Sequence, residues 1–210
     1  RGIRMIDTSF IDELASPTPT PAEGAAAAYV GALASSLSTM VGNLTVGKKR
    51  FADVEDLVYN TMEELSFVRD DLFELVEEDA DAFAPLFEAY RMPSETPEQS
   101  AAKNAAMQDA LVGAIETPLA IMRSCCRVIE LTETMAHKGC GLAVADAGAA
   151  AILAEAALRT ASLTVTINAK SLEDERMIRK YKREADEMVA IYGPKADAIV
   201  NYVQWKVKYD

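Results

Sequence analysis

Asp79 is the residue of this sequence whose type and position best fit catalytic chemistry. It lies in a segment where apolar residues recur at alternating three- and four-residue steps, the spacing of the buried face of a long amphipathic helix. When the segment is divided into heptads, the same heptad position is occupied by Phe51, Val58, Leu65, Leu72 and Leu86. Asp79 takes the same position between Leu72 and Leu86. The pattern therefore predicts a carboxylate on the core side of the helix.

A carboxylate in that position needs a physical explanation. Burying it unpaired is costly, so Asp79 is expected to be hydrogen-bonded, paired with a cation, or raised in pKa. The same conditions suit a general acid or base. From the residues alone two other interpretations stay open. Either the packing is loose and Asp79 is partly exposed to solvent, or Asp79 caps the start of a neighbouring helix.

Charge and composition exclude several classes of partner. The formal net charge is −12 over 210 residues, and the basic residues are scattered, so the chain lacks the basic face that nucleic acid requires. Residues 24–47 carry no charge, but their Ser, Thr and Asn side chains among alanines and glycines are too polar for a membrane span. Cys125 and Cys126 are adjacent and cannot easily close an ordinary disulfide. We expect a cytoplasmic protein with reduced thiols and no membrane partner.

Metal and cofactor chemistry is not expected. His137 is the only histidine, and no Cys-x-x-Cys or His-x-x-x-His spacing occurs. A zinc site or a Ser-His-Asp relay would have to be built on His137 alone.

The pattern of apolar residues and helix-end signals predicts an all-α fold: a single-domain helical bundle with long central helices. Residues 1–5 are expected to be an appended or disordered N-terminus, and residues 6–210 the helical domain. A short helix near residues 9–16 precedes the proline-rich strap SPTPTP, residues 16–21, which enforces an extended conformation. Further helices are predicted over residues 24–46 and from Phe51 to the residues before Pro93.

Helix-end signals divide the second half. Thr96 to Gln99 reads as a capping box, and Thr117-Pro118 as the start of another helix. A small-residue helix follows over residues 143–169, with one β-like patch at residues 164–168, and Gly193-Pro194 is interpreted as the break before a last helix. The two helices rich in Ala and Gly are expected at the bundle centre or at a subunit contact.

An ordered series of motifs resembles the cyclodeaminase domain of formiminotransferase-cyclodeaminase and its free-standing bacterial relatives, the methenyltetrahydrofolate cyclohydrolases. The resemblance covers Phe10 to about Asn201. It rests on these motifs in order: FIDELASPTPTP, MVGNLTVGKKRF, VEEDADAF, AYRMP, DAG at Asp146 and TINAK at Asn168.

The resemblance implies an all-helical subunit that forms a homodimer and acts on the one-carbon group of tetrahydrofolate without a metal or nucleotide. Family members hydrolyse 5,10-methenyltetrahydrofolate to 10-formyltetrahydrofolate, or cyclise 5-formiminotetrahydrofolate with loss of ammonia. The family's catalytic aspartate maps onto Asp79. A chain without a formiminotransferase domain favours the cyclohydrolase, with the cyclodeaminase and a noncatalytic helical dimer as alternatives.

Five further polar residues are candidates for contacting the folate. Lys48 and Lys49 are expected to receive its anionic glutamate tail, or else to compensate a helix end. Asn43 and Asn168 offer amides to the pterin edge or the one-carbon unit, or else satisfy buried backbone groups. Asp146 is interpreted as a first-turn acid of its helix or as a substrate ligand.

The segment after the proline strap departs from the family pattern. Relatives read PGGGS where this chain has Pro21 to Ala25, so Ala22 and Glu23 replace two glycines. Gly24 is retained and is a candidate substrate-binding residue. Whether Ala22 and Glu23 close the folate site is left open, because glycine lets the backbone approach a ligand more freely. Phe83, at helical spacing, is interpreted as a core residue.

Overall fold

The computed structural model describes residues 8–209, and within that range six α-helices and no strand are present. The helices are α1 (Ser9–Leu14), α2 (Glu23–Asn43), α3 (Glu55–Arg91), α4 (Pro97–Lys138), α5 (Val144–Ala169) and α6 (Glu175–Tyr209). The predicted all-α class is confirmed. The predicted N-terminal segment, residues 1–5, lies outside the described residues.

Helices α2, α3, α4 and α5 form a four-helix bundle, and α6 packs against α4 and α5. α2 and α5 run antiparallel, because the Thr164 hydroxyl of α5 donates to Glu23 at the start of α2 at 3.3 Å. At the opposite end, the Cys140 N–H before α5 donates to Thr45 Oγ1 after α2 at 2.7 Å. The bundle thus has an Asp79 end, where α2 begins and α5 ends, and a Lys48 end, where α2 ends and α5 begins.

The predicted buried face of α3 is confirmed. Val58, Leu65, Leu72 and Leu86 are at most 1% exposed. The predicted helix start at Phe51 is wrong by about one turn, because Lys49–Phe51 forms a short 3-10 helix and α3 begins only at Glu55.

Pro118 lies inside α4, so the predicted helix start at Thr117-Pro118 is wrong. One buried face continues through this position without a change of phase, formed by Leu111, Ile115, Leu119 and Met122. Proline leaves the carbonyl four residues earlier without its N–H donor. Here that carbonyl belongs to Ala114, and Asn168 Nδ2 donates to it at 2.8 Å. Asn168 therefore supplies the hydrogen bond that Pro118 cannot.

This arrangement gives a stability prediction. Asn168→Ala should lower the free energy of unfolding by about 1–3 kcal/mol, because it leaves the buried Ala114 carbonyl unpaired. In a Pro118→Ala background the loss should shrink, since the new N–H of residue 118 can bond the same carbonyl. Urea unfolding of the wild type, both single variants and the double variant measures this coupling. Equal losses in the two backgrounds would contradict the pairing.

One further sequence prediction is wrong. Gly193-Pro194 does not separate two helices, because α6 is continuous and its buried face continues across the proline through Ala196 and Ile199. There bundle packing outweighs a local signal of only two residues. The helix predicted over residues 143–169 is confirmed, and its β-like patch at residues 164–168 forms the last turns of α5.

The predicted capping box of α4 is confirmed. The Gln99 N–H donates to Thr96 Oγ1 at 3.2 Å, and the Thr96 N–H donates to Gln99 Oε1 at 3.2 Å. The two bonds fix the first turn of α4.

The two helices rich in Ala and Gly are central, as predicted. The stretches Glu23–Asn43 and Gly141–Ala169 are long and apolar enough to cross a membrane by length and composition alone. Their most apolar windows are 56% and 50% buried inside the bundle, and core helices of soluble proteins pass the same test. The buried half of each helix builds the core.

Candidate functional site

Asp79 of α3 meets the start of α2. Its Oδ2 accepts a hydrogen bond from the Ala25 N–H at 3.0 Å. Ala25 lies in the first turn of α2, where N–H groups have no partner within the helix and the helix dipole favours a negative charge. The capping interpretation of Asp79 is therefore confirmed. The same bond also holds the carboxylate in one orientation, as a catalytic group requires.

Gly24 allows this close approach. A Cβ built on Gly24 would lie within 3.0 Å of the Asp79 carboxylate carbon and of both its oxygens. Gly24 is therefore a contact of Asp79, and any side chain at this position would displace the carboxylate.

Asp79 lines a cavity of about 170 Å³ at the Asp79 end of the bundle. The wall is formed by Pro19, Thr20, Ala22, Glu23, Gly24, Asp79, Phe83, Ala114, Thr164 and Asn168. Within residues 8–209 no hydrogen bond reaches Asp79 Oδ1, so this oxygen is available to a ligand in the cavity. Pockets for drug-sized ligands are typically about 300–1,000 Å³, so this cavity can hold the reactive part of such a molecule.

The environment of Asp79 raises its pKa. Burial raises the pKa of this carboxyl, the hydrogen bond from Ala25 lowers it, and the negative charge of Glu23 raises it again. The net direction is above the ordinary value, which brings the group closer to the working range of a general acid or base.

The candidate site residues fall into two groups. Gly24, Asp79 and Asn168 meet at the Asp79 cavity. Asn43 is the last residue of α2, and Lys48 and Lys49 follow it. All three lie at the Lys48 end, and Asn43 is about 27 Å along α2 from Ala25.

Asp146 belongs to the Lys48 group. It lies in the first turn of α5, as one of its two interpretations predicted. Within one protomer, neither Asp146 nor the other residues at the Lys48 end reaches the Asp79 cavity.

The Lys48 end has its own local contacts. Lys48 Nζ donates to the Leu44 carbonyl, so the predicted compensation of the α2 end is present. Arg50 Nη2 lies 3.2 Å from Cys140 Sγ, and Lys48 Nζ lies 3.8 Å from the same sulfur. Lys49 is exposed and enters no ion pair among residues 8–209.

Sequence reasoning missed part of the cavity wall. Phe83 was interpreted as core, and it both packs on the core and lines the cavity. Its spacing of four residues from Asp79 places both on one face of α3, a signal that could have been used. Thr164 lies four residues before Asn168 on α5, so the same spacing places these two residues on one face of α5. Thr20, on the strap, reaches the cavity through tertiary packing that no local pattern predicts.

The chain matches a known protein family over most of its length. The family model described as formiminotransferase-cyclodeaminase matches residues 7–187. The chain belongs to this family. The resemblance predicted from the motifs is thereby confirmed, and the relatives with which the chain aligns are named as enzymes.

The relatives in the formiminotransferase-cyclodeaminase family include a bacterial protein of nearly the same length. Methenyltetrahydrofolate cyclohydrolase of Methylorubrum extorquens is 39% identical over 206 residues, which are 98% of this chain and 99% of that protein. Formimidoyltransferase-cyclodeaminase of Gallus gallus is 30% identical over 181 residues, covering 86% of this chain and 33% of that protein. The solved structure of formiminotetrahydrofolate cyclodeaminase from Thermotoga maritima has a TM-score of 0.85 at 28% identity, and the match covers 97% of this chain and 98% of that one.

Proposed function

We propose that this member of the family hydrolyses 5,10-methenyltetrahydrofolate to 10-formyltetrahydrofolate in the Asp79 cavity. The single observation that carries the proposal is the Asp79 carboxylate itself. It is anchored through Oδ2 at the start of α2, and Oδ1 is available to a ligand. No metal or cofactor is included in the proposal.

The reaction suits a fixed carboxylate. The methenyl group joins N5 and N10 as a delocalised amidinium cation, which an ionised Asp79 stabilises by charge. As general base, Asp79 takes a proton from water while the water oxygen bonds to the one-carbon atom. The bond from that carbon to N5 then breaks as N5 takes up a proton, which leaves a formyl group on N10. Of the two protons of the water, one ends on N5 and one is released.

A second candidate is the cyclodeaminase reaction on 5-formiminotetrahydrofolate. There N10 attacks the formimino carbon, and the departing nitrogen takes up two protons, the one lost by N10 and one from a general acid, before it leaves as ammonia. The raised pKa of Asp79 favours this reaction, because a larger fraction of the carboxyl is protonated at a given pH and can donate its proton as general acid. Hydrolysis remains our first proposal, since the similarity to the Methylorubrum cyclohydrolase extends over nearly all of both chains.

Ala22 and Glu23 do not close the cavity. Both residues line it, and Ala22 has an extended backbone conformation with φ of −126°, which any residue can adopt. Neither position therefore depends on the conformational freedom of glycine. This geometry supports the enzyme proposals over a noncatalytic dimer.

Assays of the purified wild-type protein on both substrates test the proposal. We expect the absorbance of 5,10-methenyltetrahydrofolate to disappear faster than in the uncatalysed reaction, with no ammonia released from 5-formiminotetrahydrofolate. Ammonia release without hydrolysis would replace the first candidate by the second. Activity on neither substrate would remove the folate proposal.

Glu23 provides a test of the role of Asp79 as base. Glu23→Gln removes a charge that raises the pKa of Asp79, so the pKa should fall. A base must be ionised, so the rate falls when the pH drops below its pKa. The acidic limb of the pH profile of kcat/KM should therefore move to lower pH in Glu23→Gln. Glu175→Gln, at the start of α6, serves as the control and should leave the limb in place. An unmoved limb in Glu23→Gln would contradict the assignment.

A further inference from the structure

Glu23 gives the Asp79 cavity a second carboxylate. Its side chain lines the cavity, and the Thr164 hydroxyl donates to Glu23 Oε1 at 3.3 Å. Within residues 8–209 no hydrogen bond reaches Glu23 Oε2, and Glu23 enters no ion pair. One oxygen of the carboxylate is therefore held at the wall by α5, and the other is available to a ligand.

The charges on the wall of the cavity are all negative. Glu23 and Asp79 are its ionisable residues, and no Lys, Arg or His of residues 8–209 lines it. The two carboxyl groups are close enough to interact, because the charge of Glu23 raises the pKa of Asp79. Two neighbouring carboxylates destabilise each other, and a nearby positive charge favours both ionised forms. The wall therefore fits a ligand that carries a positive charge.

A purely structural role at the start of α2 does not explain the placement of Glu23. An acid in the first turn of a helix compensates the helix dipole, and Glu23 is the first residue of α2. Asp79 already occupies this helix end, since it accepts the Ala25 N–H. A dipole-compensating acid can also point into solvent, whereas Thr164 holds Glu23 on the cavity side.

The proposed substrate and product differ in charge at the one-carbon group. In 5,10-methenyltetrahydrofolate this group belongs to an amidinium cation, and in 10-formyltetrahydrofolate it is a neutral formyl amide. A second carboxylate beside it therefore attracts the substrate and has no charge to attract in the product. For one pair of unit charges about 4 Å apart in water, the attraction corresponds to about 5-fold in affinity.

We infer that Glu23 is a specificity-determining residue, whose carboxylate selects folates with a cationic one-carbon group over folates with a neutral one. This inference rests on the proposed function. Asp79 acts on the attacking water, and Glu23 favours binding of the cation and release of the neutral product. The glycine of the family pattern cannot supply this charge, so the selection is a property of this chain.

Binding to Asp79→Asn measures the selection without turnover. The cationic ligand is 5,10-methenyltetrahydrofolate, and the neutral one is 5-formyltetrahydrofolate, which has the same pterin and glutamate tail. By calorimetry, adding Glu23→Gln to Asp79→Asn should weaken binding of the cation about 5-fold and leave binding of the neutral folate unchanged. The loss should shrink at high salt, because ions screen an exposed charge.

Two control variants separate charge from structure. Glu78→Gln makes the same charge change at an exposed residue of α3 outside the cavity wall, and it should leave both affinities unchanged. Glu23→Asp keeps the charge and should keep most of the preference for the cation. If Glu23 were only a first-turn acid, Glu23→Gln would lower the free energy of unfolding and would not distinguish the two ligands.

Kinetics of Glu23→Gln with Asp79 intact give a second readout. At a pH above the acidic limb, KM for 5,10-methenyltetrahydrofolate should rise about 5-fold, and inhibition by 10-formyltetrahydrofolate should not change. An unchanged preference for the cation, or equal weakening of both ligands, in an active protein overturns the inference and leaves the proposed function standing. A wild type inactive on both folate substrates is the failure of the proposed function, and with it of the inference.

Discussion

Asp79→Asn is expected to lower kcat for methenyltetrahydrofolate hydrolysis by at least about 100-fold, the usual scale for loss of a general acid or base. Asn keeps the shape of the side chain, and its amide oxygen can still accept the Ala25 hydrogen bond. The loss should therefore appear in kcat, while helical content stays unchanged. A folded Asp79→Asn protein with near wild-type turnover would contradict the mechanism.

The same substitution should preserve or raise stability at neutral pH. The pKa of Asp79 is raised in the folded protein, so folding favours its protonated form. Stability then falls as the pH rises from the ordinary pKa of 3.8 through the higher folded-state pKa, and the ionised group is destabilising at neutral pH. Asn lacks this cost. Thermal unfolding of the wild type and of Asp79→Asn, at neutral pH and at a pH below 3.8, measures this difference in stability. The stability gained by Asp79→Asn should be smaller at the lower pH.

Gly24→Ala is expected to have a comparable effect on catalysis. The added Cβ would overlap the Asp79 carboxylate, so the carboxylate must move away from its anchored position. A displacement of about 1 Å can cost about 100-fold in rate, and strain of this kind costs about 1–3 kcal/mol of stability. Assays of hydrolysis and urea unfolding measure the two effects.

Gly113→Ala is the matched control for this substitution. Gly113 is exposed in α4, and a Cβ there has no neighbour within 4 Å. Replacing an exposed helical Gly by Ala should raise stability by about 0.5–1 kcal/mol and leave activity unchanged. If Gly24→Ala behaved like Gly113→Ala, the close contact with Asp79 would not matter to the reaction.

The sequence predicted the features that depend on local periodicity. The repeat of Val58, Leu65 and Leu72 isolates Asp79 because a carboxylate on a buried face is exceptional, and the structure explains the exception by the start of α2 lying opposite it. The capping box at Thr96 could also be predicted from local sequence, because its hydrogen bonds join residues within one helical turn.

Features that depend on contacts between distant segments could not be predicted in this way. Pro118 indicated a helix start because the donor that compensates for it, Asn168, lies 54 residues from the Ala114 carbonyl. The contact between Gly24 and Asp79 joins two helices in the same manner. The motif resemblance named both residues as part of a site, and only the fold explains why glycine is needed at position 24.

A crystal structure of Asp79→Asn with bound 5,10-methenyltetrahydrofolate tests the central claim most directly, because this variant should bind the substrate without consuming it. We predict that the one-carbon atom lies in the cavity beside the substituted side chain, close enough for one water molecule to bridge it to the amide oxygen of that side chain. A folate bound elsewhere on the chain, or bound with its one-carbon group turned away from position 79, would contradict the account.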